Sequence, residues 1–188
     1  AYWRDKEDQI NLDFPQAFFY SDTYMNKAKV DLKVRFIENS LRNEGIEYNK
    51  VNEEIKFVIP NDDEEKVVLI KEETYKKLAS ALCMNSISFA ENETILAVPS
   101  NESKRKNIII NNIKLRVVGK SDKRVLPTFY GDVYVIKDDI YEKINGVKAY
   151  FGTLDVNNYK NPLNISNKFS TKFGADNGNK IYNNFLKA

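Results

Sequence analysis

The sequence contains no histidine, and a single cysteine, Cys83, in 188 residues. The missing imidazole removes Ser-His-Asp and Cys-His nucleophile systems, the two-histidine helix of zinc proteases and most transition-metal sites. Carboxylates, Lys, Tyr or Ser-Lys pairs remain, and no known catalytic spacing gathers them. A Gly-rich phosphate loop is missing too, so no enzymatic activity, cofactor or metal is expected. One cysteine rules out an internal disulfide, although many extracellular domains do without one. Cys83 follows Leu82 on an expected helix and reads as a buried structural thiol. No stretch nears the roughly 20 apolar residues needed to cross a bilayer. The chain opens at Ala1 with neither initiator Met nor a signal-peptide pattern, so it reads as a segment of a longer protein.

Charge excess is also lacking. Lys and Arg number 29 against 27 Asp and Glu, a net +2 that argues against a nucleic-acid partner. What is present suits a soluble, globular chain: 42% hydrophobic and 12% aromatic residues can build a core, and 30% charged residues can solvate it. The length fits one domain over residues 1–188. Lys, Asn, Ile, Tyr and Phe are all plentiful, as AT-rich coding imposes, so Lys-rich and Asn-rich stretches count for little as functional signals.

Hydrophobic periodicity gives the elements. Leu12 to Tyr20 reads as an extended aromatic segment interrupted by Pro15, an edge. Asp22 is a candidate N-cap for an amphipathic helix with Val30, Val34, Ile37 and Leu41 on one stripe, stopped by Gly45. Strands are expected over 55–59, 67–70, 94–98 and 132–136. Residues 107–118 form a β-hairpin around Asn111-Asn112. A helix opened by Glu72 and Glu73 buries Tyr75, Leu78, Ala79 and Leu82, and a shorter one covers 138–144. Residues 147–151 and 153–156 read as two strands, and the tail 157–188 largely as loop. The fold class is α+β, with a mainly antiparallel sheet and two or three packed helices.

Leu69 to Leu78 (LIKEETYKKL) also aligns without gaps to Val135 to Ile144 (VIKDDIYEKI). Either an internal strand–helix duplication or a shared strand-to-helix grammar accounts for it.

The run VVLIKEETYKKLASALCMNSISFAENETILAVPS, Val67 to Ser100, resembles the large extracellular domain of FtsX-like ABC transporter permeases of the bacitracin-resistance type in Gram-positive bacteria. Glu73, Tyr75 and Leu78 fill that family's helix pattern, and Phe89, Asn92, Glu93, Ile95 and Leu96 fill its turn and following strand. Asp132 to Ile144 is similar to the family's second strand–helix segment. Cys83 departs from it, standing where such sequences often turn with Gly. The resemblance implies a sensing domain on the extracellular face of the plasma membrane, part of a multi-pass membrane protein. It implies an ABC ATPase subunit and a sensor histidine kinase as partners, in resistance to antimicrobial peptides such as bacitracin or nisin. A structural or protein-docking domain without a small ligand is the alternative reading.

Two clusters are candidate ligand sites. Lys104, Arg105 and Lys106 precede the expected hairpin and Lys120, Lys123 and Arg124 follow it, so pairing would crowd six cations at one end. Such a patch suits phosphate, on lipid headgroups or a lipid-carrier pyrophosphate. Tyr130, beside Phe129, would add a ring. The acidic turn Asp62, Asp63, Glu64 and Glu65 has the sign to attract a cationic peptide, and it lacks the Gly of a calcium loop. The bland readings are solvated loops for the charges and core for the aromatic pair.

Overall fold

The computed structural model describes residues 18–97, 105–126 and 131–156. Its elements are β1 (Phe18–Tyr24), α1 (Lys27–Asn43), β2 (Asn49–Val58), β3 (Val67–Lys71), α2 (Glu72–Ala81), β4 (Glu93–Leu96), β5 (Asn107–Ile110), β6 (Ile113–Lys120), β7 (Val133–Ile136), α3 (Asp138–Lys143) and β8 (Val147–Val156). The strands form one mixed sheet in the order β1-β8-β2-β3-β7-β4-β6-β5. β3·β7 and β4·β6 are parallel, and every other pairing is antiparallel. The fold is therefore α+β with three helices among the described residues. Residues 12–17 and the tail 157–188 lie outside them.

α1 forms where the apolar stripe demands it: Val30, Val34, Ile37 and Leu41 are all buried. Its N-cap is Asn26, whose side chain accepts a hydrogen bond from the Ala28 N–H, rather than Asp22, which lies within β1. The reason is that β1 runs on to Tyr24, in register with β8, before the chain can turn. Gly45 ends the helix as expected, in the left-handed region at φ +67°. Its N–H bonds the Arg42 carbonyl and that of Ile46 bonds Leu41, a Schellman closure.

α2 ends the same way, with Cys83 in the glycine position. Its φ is +56°, its N–H donates to the Ser80 carbonyl, and Met84 N–H donates to Ala79. This overturns the expected buried thiol: Cys83 is exposed, because the left-handed turn swings it off the helix's apolar face. Leu82, expected in that face, is only partly buried. The β5–β6 hairpin has its expected two-residue turn, with Asn111 and Asn112 at φ +49° and +63°.

β8 is one strand rather than two. It pairs with β1 on one side and β2 on the other, and Gly152 sits inside both ladders. Glycine is required there by packing. A Cβ at position 152 would lie 2.1 Å from Val34 Cγ2 and 3.2 Å from Val30 Cγ1, so α1 crosses β8 at this point.

The helices divide between the two sheet faces. Asn52 and Glu53 are consecutive on β2 and point to opposite faces. Asn52 Nδ2 donates to Asp31 of α1 at 2.6 Å, whereas Glu53 pairs with Lys77 of α2. Glu54, back on the Asn52 face, accepts from the Tyr141 hydroxyl of α3 at 2.9 Å. So α1 and α3 cover one face and α2 the other.

Two stability effects follow. Gly152→Ala should cost about 2 kcal/mol or more by overpacking against Val34. Val34→Ala combined with it should cost less than the two singles summed, as measured by urea unfolding. Cys83→Gly should instead stabilise, by roughly 0.5–1 kcal/mol, because relief of left-handed strain exceeds the added chain entropy. An unchanged or lowered melting temperature would contradict that.

Candidate functional site

The two charge clusters turn out to be neighbours. The sheet is rolled so far that the β2–β3 turn reaches the outer edge of β5. Asn61 N–H donates to the Ile109 carbonyl at 2.7 Å, and Asn112 N–H donates to Asn61 Oδ1 at 2.9 Å. Arg105, just before β5, thereby bonds Asp62 at 3.0 Å and also Asp63. Asp63 further accepts from the N–H groups of Glu64 and Glu65. Those backbone donors, with Arg105 behind them, hold its carboxyl below the usual range. Arg105 and Asp63 therefore have a structural job, closing the turn over the edge strand.

The other expected cations have their own local surroundings. Lys106 is exposed, and its carbonyl accepts from Val117. Lys120 ends β6 opposite Leu96 of β4, and the Lys123 carbonyl accepts from the Ser121 hydroxyl. Arg124 is partly buried and donates to the Leu126 and Gly131 carbonyls at 3.1 and 3.0 Å. Burial lowers its pKa, with Asp132 opposing. Lys104 and Tyr130 lie outside the described residues. Glu64 and Glu65 remain exposed, so the acidic turn keeps the sign expected of it.

Sequence reasoning missed a groove between the start of β2 and α2. It encloses about 430 Å³ and is lined by Asn49, Lys50, Val51, Glu73, Lys76, Lys77, Ser80 and Ala81. Val51 and Ala81 are buried and supply an apolar floor. The rim is polar because α2 turns Tyr75 and Leu78 inward and leaves Glu73, Lys76, Lys77 and Ser80 outside. Lys77 is held by Glu53, whose hydrogen bond is the main cause of its raised pKa, and by Glu73 at 3.5 Å. Lys50 pairs with Glu38 at 3.3 Å. Lys76 has the loosest tie, 4.0 Å to Glu72, with its side chain 61% exposed. A ligand with both a charged and an apolar part fits these walls. Nothing local announces the groove, since its two sides are some 25 residues apart in sequence. Among the described residues, no three His, Cys, Asp or Glu side chains cluster to hold a metal ion.

Beside the groove lies a second feature invisible in sequence. Asp155 pairs across β8–β2 with Asn49, is fully buried, and has no hydrogen-bond partner for either carboxylate oxygen among the described residues. Desolvation pushes its pKa up to about 8. The folded state thus binds a proton that the unfolded chain, with a pKa near 3.8, has released. Stability should be full below pH 4 and fall as pH rises toward 8, by at most about 1.4 kcal/mol per pH unit. Asp155→Asn should flatten this slope, so that its advantage over wild type grows from pH 4 to pH 8 in urea titrations. Parallel pH profiles would contradict a buried, neutral Asp155.

No family model and no curated protein sequence matches the chain. Among solved structures it is similar to a "putative lipoprotein" from Bacillus anthracis, with a TM-score of 0.52 and 14% identity. The match covers 81% of this chain and 92% of that one, so the two share a fold.

Proposed function

We propose that this chain is a non-enzymatic extracytoplasmic sensing domain, of the kind that FtsX-like permeases of the antimicrobial-peptide resistance type hold outside the membrane. Its ligand is an antimicrobial peptide or an envelope lipid such as a lipid-carrier pyrophosphate. The observation that carries this reading is the groove between β2 and α2. Its helical wall is the segment with Glu73, Tyr75 and Leu78, on which the permease resemblance rests. The fold shared with the Bacillus anthracis "putative lipoprotein" supports a place at the cell envelope. No helix among the described residues is long and apolar enough to cross a membrane, so membrane helices would come from elsewhere in the parent protein.

An amphipathic cationic peptide has partners in Glu73 at the groove and in Glu64 and Glu65 on the acidic turn. A pyrophosphate has a partner in Lys76 at the groove. In the parent protein the bound state would be read out through an ABC ATPase subunit and a sensor histidine kinase. Calorimetric titration of the purified chain with bacitracin, nisin and a lipid-carrier pyrophosphate tests the proposal. Saturable binding of one of them is expected, weakened about fivefold by Glu73→Gln with Lys76→Gln, and without a change in the thermal melt. Absence of binding by all three would leave the structural or docking reading in its place.

A further inference from the structure

The first half of β2 has a strand on one side only. β8 pairs with β2 from Asn49 to Phe57, whereas β3 pairs with it only from Lys56 to Val58. β3 stops at Lys71 because α2 starts at Glu72 and turns onto one face of the sheet. Residues 49–53 therefore have no strand on the β3 side among the described residues.

The register tells which backbone groups are left open. Val68 N–H donates to the Asp132 carbonyl, so Val68 is turned toward β7 and its neighbours Val67 and Leu69 toward β2. They stand opposite Val58 and Lys56, whose N–H and C=O groups therefore point to β3. The register of β2 is unbroken, so in steps of two the backbone groups of Asn52 and Lys50 point the same way, where β3 no longer reaches. Those of Asn49, Val51 and Glu53 turn to β8, and the Thr153 hydroxyl meets the Val51 carbonyl at 3.5 Å. The groove runs along this open edge. Lys50 is one of its walls although its side chain crosses to Glu38 of α1, on the other face, so it borders the groove with its backbone.

We infer that the groove takes an extended peptide segment, added to the sheet as a strand along residues 49–53 of β2. This rests on the groove being the ligand site, and it specifies how the ligand's main chain is held. Lys50 and Asn52 each offer an N–H and a C=O, and an extended peptide has both partners for both. A pyrophosphate offers acceptors alone and would leave the C=O groups unmet. A ligand residue opposite Val51 would set its side chain on the α2 face, over the buried Val51 and Ala81, so an apolar residue fits there. The ligand's next side chains on that face meet the polar wall of Glu73, Lys76, Lys77 and Ser80.

Amide hydrogen exchange, resolved by NMR on the whole chain, tests this. Without ligand, the Lys50 and Asn52 amides should exchange about tenfold or more faster than those of Val51 and Glu53. The probes are nisin and linear decapeptides selected on the chain from a random phage-displayed pool. A bound peptide should slow the Lys50 and Asn52 amides about tenfold or more and leave Val51 and Glu53 as they were. Lys50→Pro removes an open donor while breaking no bond to β8, and Lys50→Ala keeps that donor while losing the pair with Glu38. The proline variant should bind peptide roughly tenfold more weakly than the alanine variant. If it does not fold, the exchange pattern of the wild type decides. Selected decapeptides that protect Lys50 and Asn52 would support the inference even if bacitracin, nisin and lipid-carrier pyrophosphate all fail to bind, an outcome that removes only the proposed ligands. The inference is overturned if no peptide is selected, or if a bound one leaves the Lys50 and Asn52 amides unprotected. It is also overturned by equal affinities of Lys50→Pro and Lys50→Ala, or by protection that grows with protein concentration in the absence of peptide, which would make the occupant a second copy.

Discussion

A buried ammonium holds the middle of this molecule together. Lys56 of β2 is only 3% exposed, and its Nζ donates to the carbonyls of Tyr141 and Ile144 at 2.6 and 3.0 Å. Those carbonyls belong to the end of α3, where the dipole is negative and backbone donors run out; the Tyr141 carbonyl accepts from the Ile144 N–H as well, at 3.2 Å. The same ammonium sits 4.1 Å from the Tyr141 ring centre. Burial lowers its pKa, with Glu142 and Glu54 opposing. A helix of six residues has little stability of its own, and here its end is pinned to the sheet. Removing the lysine would take the donor from the Ile144 carbonyl and leave the Tyr141 carbonyl with the Ile144 N–H alone. Removing the helix end would leave a buried charge, the costlier loss.

Around that point the two similar strand–helix units are laid side by side. β3 and β7 pair in parallel, Leu69 opposite Tyr134 and Ile70 opposite Val135, one residue off the sequence alignment, so matching residues face opposite sides of the sheet and α2 and α3 leave on opposite faces. The lysines that end each strand cross over: Lys137 bonds Glu72 of the first unit and Lys71 bonds Glu142 of the second, both at 2.8 Å. Glu73 N–H also donates to Asp138. Acidic residues that read as helix openers in sequence thus serve as glue between the units. Tyr75 and Tyr141, aligned in sequence, are both fully buried, with hydroxyls bonded to Ile87 N–H and Glu54 respectively. The geometry gives the echo a shared packing role without deciding between duplication and common grammar.

Local physics was legible in the sequence, and long-range partnership was not. The stripe of α1, the Gly45 stop, the Asn-Asn hairpin and the strand before Glu72 all follow from periodicity and turn chemistry within a few residues. Gly152 was misread as a break because its reason is Val34, on a helix over a hundred residues earlier. Cys83 was misread because a helix pattern does not show where the chain turns left-handed. The charge clusters were countable, but the roll of the sheet chose their partners and set Arg105 on the acidic turn. Asp155 sits in a stretch whose alternation marks a strand, and nothing nearby in sequence tells that its neighbours offer no donor.

The division of the helices between the two sheet faces bears on the ligand. α1 lies on the face that carries Asn52, and the groove beside α2 opens on the face that carries Glu53. A ligand held in the groove would therefore touch α2 and the start of β2 and leave α1 and α3 on the far side of the sheet. β2 ties the two sides together, since Asn52 holds Asp31 of α1 while its neighbour Glu53 holds Lys77 at the groove wall. Any displacement of Lys77 by a bound ligand would be felt by α1 through that strand.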